Sequence, residues 1–142
     1  MAFTSYDDIM TCFIENTGID TTKLPTEDEH IYAMIKNASK HYGVFLKDEA
    51  YIVCDDELEE INISLDYTRL LIFAYCMKYV YLENQLVGFE ELWSPFQNDL
   101  GIKNYRSQIQ ARQSTLERTK QKITELVTTT EEPSIMWGGD LN

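Results

Sequence analysis

Two helices are predicted in the first third of the chain by apolar residues that recur at helical spacing. Ser5 and the acids that follow it resemble a capping box, and Gly18 is a natural helix end. Thr26 opens a second capping box, and Gly43 is expected to end the helix that it begins. The apolar faces consist of Tyr6, Ile9, Met10, Phe13 and Ile14 in the first helix, and of Ile31, Met34, Ile35, Ala38 and Tyr42 in the second.

Residues 44–63 have a less regular pattern. Seven of the thirteen positions from 48 to 60 are acidic, with short apolar breaks between them. This mixture favours one or two short helices. For residues 44–46 two interpretations stay open, a short extended piece or a hydrophobic turn that packs between helices.

A long helix over residues 65–87 is predicted to lie at the centre of the domain. Ser64 is placed to cap it, and Gly88 is expected to break it. Its apolar residues cannot share one stripe, and a helix that is apolar nearly all round is buried by neighbours on several sides. Beyond it, Ser94 and Pro95 are typical of an N-cap followed by proline at the first helical position.

The longest regular segment, residues 102–127, has an apolar residue at every seventh position. Arg112 and Thr119 stand at two of the other seam positions, which spoils a full coiled-coil seam. A narrow apolar stripe on a long, polar, basic helix is typical of docking onto one surface and not of immersion in a core. The stripe consists of Ile102, Ile109, Leu116 and Ile123.

The regular pattern stops at Thr128, so residues 128–142 are predicted to form an extended tail. Trp137, flanked by Ile135 and Met136, is costly to leave in water. The tail therefore either folds back onto its own domain or inserts into a partner, where a buried aromatic residue can dominate an interface.

These patterns predict an all-α fold: a small bundle of four to five helices around a central apolar helix, with a long C-terminal helix and an extended tail. The 142 residues suit one domain, over residues 1–127. The longest uncharged apolar run, residues 70–77, is far shorter than the ~18–20 residues that span a bilayer, so no membrane association is expected. The first residues do not resemble a secretory signal, and we expect an intracellular origin.

Charge argues against a general nucleic-acid-binding role. The chain has 24 acidic and 12 basic residues, a net charge of −12, and on average repels phosphates. Residues 1–101 carry −13, whereas residues 102–127 carry +4. This asymmetry favours head-to-tail association of like subunits or contact with an acidic partner. The simpler alternative, a solvated helix face, stays open.

No constellation of residues predicts catalysis, a metal or a cofactor. His30 and His41 stand in no metal-binding or triad motif, and the glycines are too scattered for a phosphate-binding loop. The acidic run at 55–60 lacks the alternating spacing and the central glycine of a calcium loop. The three cysteines are widely spaced and predict neither a disulfide framework nor zinc. We therefore expect no enzyme activity.

The order of the predicted elements along the chain resembles that of a known protein family. Capped helices at Ser5 and Thr26 are followed by an acidic link, by an apolar helix with the run YTRLLIFAY at 67–75, and by a long polar helix with a tail. This layout resembles the head–tail connector (adaptor) proteins of tailed bacteriophages, with most of the likeness in residues 29–87. The resemblance implies a small all-helical subunit that forms a ring, commonly of twelve copies, beneath the portal protein.

The same resemblance implies where the protein acts and what it contacts. The ring would lie in the neck of the virion, be assembled in the host cytoplasm, and join further neck or tail-completion proteins. It would continue the DNA channel, and DNA would pass through it without specific binding. The closing helix and the tail would reach toward the portal.

Two candidate surfaces follow. The surface toward the portal or a neighbouring subunit comprises Ile102, Lys103, Arg106, Ile109, Arg112, Leu116, Arg118, Ile135, Met136 and Trp137. The acidic surface, which would line the channel, comprises Asp55, Asp56, Glu57, Glu59 and Glu60. Two other functions stay open: a helical protein-binding adaptor or chaperone-like regulator, and an acidic DNA mimic that inhibits a nucleic-acid-binding protein.

Deletion of residues 134–142 tests the role of the tail. If the tail is an anchor for a partner, the truncated subunit keeps the wild-type melting temperature and helical circular dichroism but no longer attaches to a ring or to the portal. Sizing of the protein alone and with portal protein measures this. A truncated chain that unfolds, or one that still assembles, contradicts the prediction.

Overall fold

The computed structural model of the chain describes residues 3–46 and 52–131 and shows an all-α fold with a very small sheet. This confirms the predicted fold class. The helices are α1 (Tyr6–Thr17), α2 (Asp28–Leu46), α3 (Tyr67–Trp93), the single turn α4 (Gln97–Leu100) and α5 (Ile102–Glu131). The strands are β1 (Thr4–Ser5), β2 (Cys54–Asp55) and β3 (Glu60–Ile61), and short 3₁₀ turns cover Thr21–Lys23 and Ser94–Phe96.

The first helix forms as its local sequence predicts. The Ser5 hydroxyl accepts a hydrogen bond from the Asp8 backbone N–H at 3.1 Å, and so satisfies a backbone donor that has no partner within the helix. Gly18 ends α1 in the left-handed region, with φ of 69°, which a residue without Cβ adopts at little cost.

Two glycines do not end their helices, contrary to prediction. The second helix passes through Gly43 to Leu46, and the third passes through Gly88 to Trp93. Glycine costs about 1 kcal/mol relative to alanine inside a helix, which a few packed side chains outweigh. Aromatic rings just beyond each glycine make such contacts: Phe45 meets Tyr79 at 6.5 Å between ring centres, and Phe89 meets Tyr105 at 5.9 Å.

The predicted short helices in the acidic link are wrong where the structure describes it. Residues 54–61 form an antiparallel hairpin of β2 and β3, and β1 pairs with the other edge of β3 to give the order β1-β3-β2. Ile61 is fully buried, so the hairpin joins the core through this side chain. Burial of Ile61 and pairing with β1 are long-range effects, which the local acidic composition does not reveal.

The third helix begins at Tyr67 and not at residue 65 as predicted. The cap is Asp66, whose carboxylate accepts the Arg69 backbone N–H at 2.8 Å. The backbone N–H of Leu65 is held instead by the Thr4 hydroxyl at 2.9 Å. This bond ties residue 65 to β1 and keeps it outside the helix.

The third helix lies at the centre of the molecule, as predicted, with α1, α2 and α5 packed against it. Its Phe73 is fully buried. The fifth helix also enters the core, because Ile123 and Val127 are buried in the same cluster. The expectation that this helix stays out of the core is therefore wrong for its C-terminal part: α3 is apolar on most faces, and α5 covers one of them.

The helix predicted over residues 102–127 continues to Glu131. Residues 132–142, which include most of the predicted tail, lie outside the described residues. Among the residues that the structure describes, no helix combines the length and the apolar character needed to cross a membrane.

Substitution Phe73→Ala tests the central position of α3. Because the ring is fully buried among the helices, its removal should lower the free energy of unfolding by about 3–5 kcal/mol through lost burial and a cavity. Urea denaturation followed by circular dichroism measures the change.

Val44→Ala is the matched control, since Val44 is 73% exposed on α2. Its effect should stay within about 0.5 kcal/mol. Equal effects of the two substitutions would contradict the assignment of the core.

Candidate interaction surfaces

The third and fifth helices run antiparallel along each other. Near the start of α3, Tyr75 lies beside Lys122, whose Nζ is 6.0 Å from the ring centre. Closer to the end of α3, Phe89 lies beside Arg112, whose guanidinium carbon is 4.4 Å from the ring centre. Residues later in α3 therefore contact residues earlier in α5, as antiparallel helices do.

This helix pair extends beyond the core. The contiguous core cluster reaches Tyr81 on α3 and includes residues of α5 from Ile123 onward, while Leu86, farther along α3, is buried outside this cluster. We term residues 82–118, between these limits, the arm. Its part of α3 has twelve residues, which correspond to a length of about 18 Å. The residues Ser94–Phe96 and α4 close the arm at its far end.

Aromatic and cation–π contacts hold the two helices of the arm together. The rings of Phe89 and Tyr105 are stacked, with 18° between their planes. Arg112 covers the Phe89 ring, and its Nε is buried without a hydrogen-bond partner among the described residues. Arg112 therefore points into the arm, where its planar group packs as a cation–π partner.

The far end of the arm exposes large apolar side chains. Leu92 is 61% exposed, and Phe96 and Ile102 are each 49% exposed. These three residues, termed the tip, follow each other around the turn between α3 and α5. Single exposed apolar residues are ordinary, whereas several at one projecting end are typical of a protein-binding site.

The residues predicted for partner binding fall into three groups in the structure. Ile102, Lys103, Arg106 and Arg118 are exposed, while Ile109, Arg112 and Leu116 are half-buried along the helix pair. Ile135, Met136 and Trp137 lie outside the described residues. The sequence pattern missed Leu92 and Phe96, because Gly88 was expected to end the helix before them.

The acidic link is tied to the domain by its own carboxylates. Asp55 accepts the backbone N–H groups of Glu57 and Leu58 at 3.0 and 3.1 Å and so shapes the turn. Asp56 accepts the Tyr6 hydroxyl of α1 at 2.7 Å and pairs with Lys36 of α2 at 2.5 Å.

The other carboxylates of the link differ in their roles. Glu59, which has a left-handed φ of 53°, accepts the Tyr32 hydroxyl at 2.5 Å. Glu57 is exposed, and Glu60 lies on β3 beside the inward-facing Ile61. Three of the five residues predicted to form an acidic surface, Asp55, Asp56 and Glu59, thus also hold the hairpin in place.

These contacts change the acidity of the groups involved. Hydrogen bonds from Lys36 and Tyr6 hold the pKa of Asp56 below its ordinary value. The hydrogen bond to Glu59 raises the pKa of Tyr32 to about 12. Burial raises the pKa of the Cys54 thiol above its ordinary value.

Comparison with known proteins identifies the family. A family model described as YomZ prophage protein matches residues 1–132. The chain belongs to the YomZ prophage protein family. It is 35% identical over 124 residues to the SPbeta prophage-derived uncharacterized protein YomZ of Bacillus subtilis (strain 168), an alignment that covers 87% of this chain and 93% of that protein. No solved structure matches the chain.

The family match confirms the predicted phage origin. All residues that the structure describes, including the arm and the acidic hairpin, lie within the part of the chain that the YomZ family model covers. Within the same described residues, no group of three or more histidine, cysteine, aspartate or glutamate side chains is placed to hold a metal ion.

Substitution Asp56→Asn tests the link between the acidic hairpin and the helices. The folded pKa of Asp56 is lowered, so its contribution to stability is present above the pKa of an unfolded aspartate, about 3.9, and disappears as the pH falls through the folded value. The variant should lose about 1 kcal/mol at pH 7. Its difference from the wild type should shrink below about pH 4.

Thermal unfolding from pH 7 to pH 2.5 measures both effects. Glu57→Gln, at the exposed turn of the same hairpin, is the control and should show neither. A difference between Asp56→Asn and the wild type that is independent of pH would mean that the charge of Asp56 is not what stabilises the hairpin.

Proposed function

We propose that this prophage protein is a structural component of the virion neck, an adaptor subunit that assembles as a ring between the portal and the tail and extends the DNA channel. Membership of a prophage protein family supports a role in the phage life cycle. The observation that carries the proposal is the arm, which presents Leu92, Phe96 and Ile102 at its far end.

The arm suits rigid docking because it is continuous with the core. The α3 helix begins between α1 and α2, where Phe73 is fully buried, and continues without interruption to Trp93. A side chain at the tip is therefore held in place by the whole domain. Burial of a large apolar side chain stabilises an interface by about 1.5–3 kcal/mol, and rigid anchors of this kind dominate many interfaces.

The charge of the protein supports a channel through which DNA moves. A net charge of −12 repels phosphates, so a ring of such subunits would not hold DNA in place. The acidic hairpin is fixed by Asp56 and Glu59, and it keeps Glu57 on the surface. In the ring this hairpin would contribute to the acidic surface.

A DNA mimic is less well supported by the same residues. A mimic presents carboxylates in regular rows, whereas here Asp55, Asp56 and Glu59 bind groups of their own domain. A regulator that binds another protein through the arm is the alternative that an experiment has to separate from the neck adaptor.

The test is the composition and structure of purified virions from an induced prophage. Mass spectrometry should find the protein in the particles, and electron cryomicroscopy should place it at the neck. The variant Leu92→Glu with Phe96→Glu should fold normally, because both side chains are already exposed, yet be missing from the particles, which would lack tails.

Val44→Glu serves as the control, since it adds a carboxylate at a position that is 73% exposed on the body. This variant should enter particles like the wild type. Absence of the wild-type protein from virions would contradict the neck adaptor and favour the regulator. Normal incorporation of the tip variant would show that the tip is not the docking site.

A further inference from the structure

Three cations surround an open depression where α3 and α5 leave the core. The depression has a volume of about 250 Å³. The Nζ atoms of Lys78 and Lys122 lie 5.8 and 6.0 Å from the centre of the Tyr75 ring, and Arg118 donates to the Thr115 hydroxyl at 3.2 Å. We term this site the cationic depression; its lining is Tyr75, Lys78, Thr115, Arg118, Thr119 and Lys122.

Among the described residues, no carboxylate forms an ion pair with the cations of the depression. Within residues 3–46 and 52–131, Lys78, Arg118 and Lys122 form no ion pair, whereas Lys36 and Arg69 of the same protein each have one. The pKa of Lys78 is lowered by partial burial and by the nearby Arg118. Crowded like charges destabilise the isolated subunit, and a bound anionic group would relieve that cost.

Carboxylates without such partners among the described residues occur elsewhere on the molecule, on the acidic hairpin. In the described part of the chain, the side chains of Glu57 and Glu60 accept no hydrogen bond and form no ion pair. The neighbouring Leu58 is 67% exposed, so the turn projects from the surface. The hairpin thus offers carboxylates that a cationic site can bind.

The depression and the hairpin cannot meet within one subunit. The hairpin contacts the first residue of α1 through the bond from Tyr6 to Asp56. The depression contacts the other end of α1, where the Tyr75 hydroxyl donates to the Asn16 carbonyl at 3.1 Å. Ten residues of helix separate these points by about 15 Å. Two complementary surfaces at separate places on one chain are what a head-to-tail contact requires.

We propose that the cationic depression of one subunit binds the carboxylates of Glu57 and Glu60 from the hairpin of a second copy of this chain. This inference rests on the proposed function, because it names the contact through which the ring would close. The ammonium groups of Lys78 and Lys122 and the guanidinium of Arg118 would pair with the bound carboxylates, while the Thr115 hydroxyl keeps its bond to the Ala111 carbonyl. Since the groups are partly exposed, the contact should weaken as salt increases.

Charge reversal of each surface tests the contact in the full-length protein. The basic-to-acidic variant is Arg118→Glu with Lys122→Glu, and the acidic-to-basic variant is Glu57→Lys with Glu60→Lys. Each variant alone carries two surfaces of like charge, so its self-association should weaken on the order of tenfold or more relative to wild type. An equimolar mixture of the two variants should associate again, because every contact in an alternating assembly is then complementary.

Sedimentation velocity at low and high salt measures association, and thermal unfolding checks that each variant is folded. The variant Lys23→Glu with Lys40→Glu makes the same change of charge at exposed positions of the body and should associate like wild type. If this control also loses association, net charge and not the specific contact is responsible. If the mixture does not restore association, the two surfaces do not bind each other. Either result shows that the proposal is wrong.

Zero-length carbodiimide crosslinking of purified protein and of virions separates this proposal from the neck adaptor. A link between Lys78 or Lys122 and Glu57 or Glu60, together with absence from virions, supports the contact and rejects the adaptor. Presence in virions without that link rejects the contact and keeps the adaptor. A chain that stays monomeric and is absent from virions rejects both.

Discussion

The packing of α3 against α5 is the interaction on which the rest of the structure depends. Within the body, α3 is apolar on most faces, and α5 covers the face that α1 and α2 leave open by burying Ile123 and Val127. Beyond the body, the same two helices stay together through Phe89, Tyr105 and Arg112. One pair of helices therefore builds both the core and the arm, and the position of the arm is set by the packing of the core.

This packing also decides which residues are left for partners. The apolar stripe of α5, apart from the exposed Ile102, packs against α3, so the cations around it lie to the sides of the helix pair. Arg112 is taken into the arm as a cation–π partner, whereas Arg118 and Lys122 gather with Lys78 around Tyr75. The cations that are spread along α5 in the sequence are thus divided: Arg112 is half-buried within the arm, and Arg118 and Lys122 join Lys78 in a separate cluster.

The carboxylates of the acidic link are divided in a similar way: some hold the hairpin on the domain, and others stay exposed on the surface. Asp56 binds Tyr6 and Lys36, fifty and twenty positions away in the chain, and Glu59 binds Tyr32. These long-range pairs turn a run of carboxylates into a fixed hairpin. Because the hairpin is anchored to both α1 and α2, the exposed Glu57 at its turn is held at a defined place on the surface.

The sequence by itself determined what depends on neighbours within about one helical turn. The cap at Ser5, the end of α1 at Gly18, the all-α class and the central place of the apolar α3 all follow from local spacing and capping. The tertiary structure decided the rest: that α2 and α3 pass through Gly43 and Gly88, that α5 enters the core, and that the acidic link forms strands. Each of these outcomes follows from contacts between residues far apart in the chain, such as Thr4 with Ile61 or Phe89 with Tyr105, whose packing and hydrogen bonds outweigh local preferences of about 1 kcal/mol.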